Sequence, residues 1–174
     1  MTQPSETATP KRLQILGEEE IENLYGLPHF TPEEQAEYFT LSEREAAALE
    51  QFHTIRSRIY AILQLGYFKA RHLFFSFDLD GIGEDAQYVQ DRYFPDIELT
   101  EQPISKVTRL NQQRLILELC NYRLCDEAAR QLLADKAAQA AGVCGKPVYV
   151  FRELLRYLEA QRLVAPGYSS LQDI

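Results

Sequence analysis

Asp78, Asp80 and Gly81 stand in the order that opens a calcium-binding loop, two carboxylates two residues apart ahead of a glycine turn. The later oxygen ligands and the bidentate glutamate at the twelfth position are missing, so calcium binding is not expected. His29, His53 and His72 are not spaced as a metal cluster, and none neighbours a serine or cysteine in a nucleophile setting. Cys120, Cys125 and Cys144 make an odd count without the paired spacing of a zinc site or a disulfide scaffold, and are expected as reduced, mostly buried thiols. No glycine-rich phosphate loop follows a strand, and strand signals are almost lacking. These residue types specify no catalytic centre and no metal site.

The segment from Ser105 carries different chemistry. Its first two turns hold Ser105, Lys106, Thr108, Arg109, Asn111, Gln112, Gln113 and Arg114, and its last two are the apolar run Leu115, Ile116, Leu117, Leu119 and Cys120. A helix anchored at one end and presenting arginine, lysine and amides at the other suits insertion into a nucleic-acid groove. Arginine bonds guanine bidentately, and asparagine or glutamine does the same to adenine. A solvated helix end has the same composition, and both readings stay open on these residues alone.

The elements that must position these groups read as an all-α fold of two small helical clusters, helix-turn-helix-like, joined by an acidic, loop-rich segment. Residues 1–17 are expected as a flexible lead. A short helix over Glu18–Tyr25 ends at Gly26 and Pro28, and Thr31-Pro32-Glu33-Glu34 starts another, with a capping threonine, proline at the first helical position and acids at the positive dipole end. Ser42 and Glu45 form a capping box for a helix over 43–52. The next helix, over 54–70, carries Ile55, Ile59, Ile62, Leu63 and Gly66 on one stripe, with Arg56, Arg58, Lys69 and Arg71 off it, which predicts one apolar and one basic face. One helix over 84–93 completes a first module spanning 18–93, and 94–104 links it to a second. That second module, 105–164, holds helices over 105–120, 126–141 and 147–164. Residues 165–174 look like the start of a following segment, as in a fragment of something longer.

The chain has 174 residues, 45% of them hydrophobic, with a mean hydropathy of -0.32 and eight each of glycine and proline. That is enough apolar material for a real core and excludes wholesale disorder and low-complexity character. No apolar run approaches the length of a membrane span, and the N-terminus lacks the apolar core of a signal peptide, so a cytosolic protein is expected. The net charge of -8 argues, as an average, against a polyanionic partner. Its placement is uneven. Residues 1–50 hold eleven acids against Lys11, Arg12 and Arg44, and residues 77–101 hold eight against Arg92 alone. Residues 51–76 have four bases and no acid, and residues 102–174 have ten bases and seven acids. Such blocks form distinct surfaces after folding, and a basic one binds a polyanion even on an acidic protein, unless the basic stretches simply pair with the acidic ones.

Three stretches carry a specific likeness. They are ILGEEEIENLYGLPHFTPEEQAEYFTLSEREAAALEQF from Ile15 to Phe52, SRIYAILQLGYFKARHLFF from Ser57 to Phe75, and KVTRLNQQRLILELCNYR from Lys106 to Arg123, with the tail KPVYVFRELLRYLEAQRLVAPGYSSLQDI from Lys146 to Ile174. In this order they resemble the N-terminal region of the transposases of Tn-three-type (class II, replicative) transposons. The resemblance implies a DNA-binding region that recognises the terminal inverted repeats of the transposon, its partners being double-stranded DNA, the remainder of the transposase and, through the parent protein, a second copy. It also implies that an Asp-Asp-Glu nuclease core using a divalent metal such as magnesium lies far downstream. This chain is expected to hold no part of that core, no cofactor and no enzymatic activity of its own, in a cytoplasmic, nucleoid-associated protein without a membrane partner.

Charge and helical phase, rather than the resemblance, nominate the contacts. Phosphates are assigned to Arg56, Arg58, Lys69, Arg71, Lys146, Arg152 and Arg156, and bases to Lys106, Arg109, Gln112 and Gln113, with Arg114 beside them. The acids over 78–85 are expected to limit adhesion to random duplex. The competing class is a helical protein-interaction or regulatory module of the transposase without direct DNA contact.

Overall fold

A computed structural model describes residues 13–99 and 102–174; residues 1–12, most of the expected flexible lead, lie outside them. Among the described residues the chain is mostly helical, with almost no strand, in the order α1 (Glu18–Tyr25), α2 (Pro32–Tyr38), α3 (Glu43–Leu49), α4 (Ile55–Arg71), α5 (Gly83–Tyr93), α6 (Lys106–Cys120), β1 (Arg123–Leu124), α7 (Glu127–Val143), α8 (Pro147–Ala160), β2 (Leu163–Val164) and α9 (Tyr168–Gln172). The all-α reading holds. No helix among them is long and apolar enough to cross a membrane.

Local capping explains where the helices begin. Thr31 Oγ1 accepts from the Glu34 backbone N–H while the Glu34 carboxylate accepts from that of Thr31, and Ser42 with Glu45 repeats the exchange. Thr54, Ser105 and Asp126 cap α4, α6 and α7 in the same manner, each accepting from a backbone N–H three residues on. Two ends lie in left-handed backbone, His72 after α4 (φ 54°) and Asn121 after α6 (φ 55°).

The central element is α4. Every residue from Ile59 to Phe68 is buried, Gln64 included, so this helix is enclosed all round in its middle rather than along one stripe. Its cations sit at the two ends, Arg56 and Arg58 at the start and Lys69 and Arg71 at the finish, in place of the expected basic face. Gly66 matters here, because a Cβ at this position would collide with the Phe39 ring that packs on the helix. Helices α2, α3, α5 and α6 all pack on α4. A polar link crosses this core, with Asp85 on α5 accepting from Tyr67 Oη at 2.6 Å and from Gln35 Nε2 at 2.7 Å.

The second cluster centres on Leu133 of α7 and Phe151, Leu154 and Leu158 of α8. It takes in more of the N-terminus than expected. Leu16 is buried there, Tyr168 Oη accepts from the backbone N–H groups of Ile15 and Leu16 at 3.0 and 3.1 Å, and Ile21 and Tyr25 of α1 pack against the same cluster. Residues 15–25 therefore belong with the C-terminal helices, not with a free lead or the first module. The expected division between 94 and 104 does not match the packing either, since α6 lies on α4. The acidic segment is likewise no spacer, because α5 packs on α4.

The expected helix over 147–164 stops at Ala160, because Arg162 takes left-handed backbone (φ 51°) and turns the chain. Leu163 and Val164 then pair in parallel with Arg123 and Leu124. The two clusters meet where Leu65 and Phe68 of α4 pack with Ile116 and Val164, and where the His72 ring stacks on Tyr122, centroids 4.7 Å apart and 19° between planes. Residues 165–174 close onto the second cluster, with Leu171 buried.

Candidate nucleic-acid interface

The N-termini of α4 and α6 lie side by side. A cleft of about 400 Å³ separates them, lined by His53, Thr54 and Ser57 from one and Ser105, Thr108 and Asn111 from the other. Neither helix has an acid in its first turn, so the partial positive charge of both helix ends is uncompensated by an acid of their own. A smaller neighbouring cleft of about 190 Å³ brings together Arg56, Tyr60, Asp78 and Arg109. Burial pushes the Tyr60 hydroxyl above its ordinary value, and the Arg109 guanidinium beside it works the other way.

On α6 the expected polar end divides by helical phase. Gln112 is only 1% exposed, and its Nε2 donates to the Ser57 carbonyl at 2.9 Å and the Ser57 hydroxyl at 3.0 Å. It is a fastening of α6 to α4 and is corrected from the base-contact set. Lys106, Arg109, Asn111 and Arg114 are exposed, and Gln113 is half-buried. None of Lys106, Arg109 and Arg114 forms an ion pair among the described residues.

Four of the nominated phosphate contacts are engaged inside the protein. Arg58 donates to the carbonyls of Phe52 at 2.7 Å and Glu50 at 3.2 Å, tying down the turn after α3. Lys69 pairs with Glu45 at 2.8 Å. Burial of Glu45 opposes its charge, but the Lys69 ammonium and the Ser42 backbone N–H outweigh this and hold its carboxyl below the ordinary range. Arg152 pairs with Glu20 at 2.9 Å, joining α8 to α1, and Arg156 pairs with Glu153 one turn back at 2.6 Å. Arg56 is half-buried in the smaller cleft, while Arg71, at the end of α4, and Lys146, just before α8, are exposed. Of the nominated cations in no ion pair among the described residues, Arg56, Lys106, Arg109 and Arg114 lie towards the α4 and α6 starts, and Arg71 and Lys146 lie elsewhere.

Two exposed aliphatic residues of α6, Val107 and Leu110, and the exposed amide Asn111 were not among the nominated contacts. The signal for them was their spacing with Arg114, at i, i+3, i+4 and i+7, which places all four on one stripe opposite Gln112 and Ile116. No group of three or more His, Cys, Asp or Glu among the described residues is placed to hold a metal ion. Cys120 and Cys125 are half-buried thiols, each pushed up by burial, which is the setting of an unreactive cysteine.

Fold and surface together define an all-helical domain whose accessible chemistry is a cationic, amide-bearing helix end. The chain belongs to the family described as domain of unknown function (DUF4158), which matches residues 15–174. Neither a curated protein nor a solved structure matches it.

Proposed function

We propose that this chain binds DNA sequence-specifically, recognising the terminal inverted repeats of a transposon as the N-terminal part of a Tn-three-type transposase. The carrying observation is α6. One face of it is anchored on α4 through Ile116 and the Gln112 to Ser57 hydrogen bonds, while Lys106, Arg109, Asn111 and Arg114 are exposed to solvent along its first three turns. A rigid helix with cations and amides at one end has the chemistry that reads base edges, and Arg56 beside it is placed for the adjoining phosphates. A further contact at Lys146 is supported by the three-residue, glycine-containing connection of residues 144–146 between α7 and α8, the length found in helix-turn-helix pairs. In this reading the chain binds and does not cut; strand cleavage belongs to a downstream magnesium-dependent core of the parent protein.

Fluorescence anisotropy with a labelled transposon-end duplex, against a scrambled duplex over a salt series, tests the reading. Preference for the end duplex and a steep fall of affinity with salt are expected. A protein-interaction role is favoured by one observation, the exposed Leu132 and Val143 of α7, at 50% and 77%. Failure of both duplexes to bind would leave that reading standing.

A further inference from the structure

We propose that Val107 and Leu110 recognise thymine through its C5 methyl group, which commits α6 to the major groove; the inference rests on the DNA-binding reading above. Val107 is 67% exposed and Leu110 45%, whereas Leu115, Ile116, Leu117 and Leu119 of the same helix are all at least half-buried. Aliphatic exposure in α6 is thus confined to its first two turns, which also carry Lys106 and Arg109, with Arg114 one turn further on. No acid occurs in this helix before Glu118, and the two side chains sit in a cationic field that complements a polyanion.

The order along the stripe is Val107, Leu110, Asn111, Arg114. From the first to the last is about 10 Å at 1.5 Å per residue, close to the rise of three base pairs. The chemistry along it is two aliphatic contacts, an amide and a guanidinium, the groups that match the thymine methyl, adenine N6 and N7, and guanine O6 and N7. All of these base groups lie in the major groove. The thymine methyl has no counterpart in the minor groove, so a contact to it fixes the docking side as well as the base.

The test begins from duplexes enriched out of a random-sequence pool by the full chain. Each enriched duplex is remade with deoxyuridine in place of thymine, one position at a time, which removes the methyl and keeps every hydrogen-bonding group. One or two positions are expected to lose about threefold to fivefold in affinity, the worth of one buried methyl-sized group. Val107→Ala and Leu110→Ala are expected each to abolish the thymine–uracil difference at one of these positions. Circular dichroism of Val107→Ala, a substitution at an exposed site, verifies that the fold is kept. Enriched duplexes that bind equally well with uracil throughout would overturn the inference while leaving DNA binding intact. Absence of any enriched duplex would overturn both. A dimer in sedimentation that Val107→Ala dissolves, with DNA affinity unchanged, would assign the stripe to a second copy of the chain and overturn the inference as well.

Discussion

Gln112 Nε2 and Ser57 are joined by two hydrogen bonds, to the serine carbonyl at 2.9 Å and to its hydroxyl at 3.0 Å, across 55 residues of sequence. Ser57 lies in the first turn of α4 and Gln112 in the second turn of α6. The pair therefore fixes the orientation of the α6 end that carries the exposed cations, close to where it meets the start of α4.

Gln112→Ala is expected to destabilise the chain by about 2 kcal/mol, since it deletes two buried hydrogen bonds and leaves a small void. Gln112→Met, which keeps the volume and removes the amide oxygen that lacks a partner among the described residues, is expected to cost about half as much. Urea unfolding of both variants checks this, with an unchanged m-value confirming that the fold is the same. Equal stability of all three proteins would show that the bonds contribute nothing net.

The surface cations divide into free and engaged groups, which predicts opposite binding phenotypes. Arg114→Ala, on the stripe that faces away from α4, is expected to lower discrimination between the cognate end and random duplex by about 1 to 3 kcal/mol, and Lys106→Ala to reduce the salt slope by about one. Arg152→Ala and Lys69→Ala remove ion pairs to Glu20 and Glu45, and neither is expected to change that slope. Anisotropy titrations at four or more salt concentrations measure both quantities. Similar losses in all four variants would sink the division.

Helix starts were legible because capping is local: Thr31, Ser42, Thr54, Ser105 and Asp126 each act on an N–H three residues ahead. The end of α8 was not, because Leu163 and Val164 pair with residues forty positions earlier and only Arg162, in left-handed backbone, marks the turn. Helix α1 reads as acidic and solvated, and its place in the second cluster depends on Arg152 and Tyr168, both far away in sequence. In the candidate interface, composition gave the α6 end but not its phase. Gln112 and Gln113 are the same residue type side by side, and only the i, i+4 relation of Gln112 to buried Ile116 separates the fastening from the surface group.

Tyr25 Oη is buried without a hydrogen-bond partner among the described residues. Burial pushes its hydroxyl up to about 12, with Tyr168 adding to the shift. Tyr25→Phe removes an unsatisfied polar atom while keeping the ring that contacts Tyr168, and is expected to raise stability by about 1 kcal/mol at neutral pH. The sign of the pH effect follows from a raised folded value. The contribution is fully present below pH 10 and is lost as pH climbs from there towards about 12, because the unfolded chain releases the proton first. Unfolding free energy measured from pH 8 to 11 is expected to fall less steeply above pH 10 in Tyr25→Phe than in the native chain. Parallel curves would mean that Tyr25 ionises as freely in the folded state as in the unfolded one.

The acids over 78–85 do not act alike, and this sharpens the expectation that they limit non-specific adhesion. Asp85 is buried, holding Tyr67 and Gln35 together, and its hydrogen bond helps push the Tyr67 hydroxyl well above its ordinary value, although burial is the larger cause. Asp78 and Asp80 are exposed, and Asp78 lines the same cleft as Arg56 and Arg109. An incoming phosphate would meet that carboxylate beside the two guanidinium groups. Asp78→Asn keeps the turn, since an asparagine oxygen can still accept from the Asp80 backbone N–H. Together with Asp80→Asn it is expected to raise affinity for random duplex by about twofold to fivefold per acid at low salt, with the gain fading as screening increases. Specific affinity should rise less, because an end already held by base contacts depends less on the field around the cleft. Asp85→Asn is expected instead to lower stability and leave random-duplex affinity unchanged. If the exposed pair gives no rise in random binding at low salt, the carboxylates do not guard this surface.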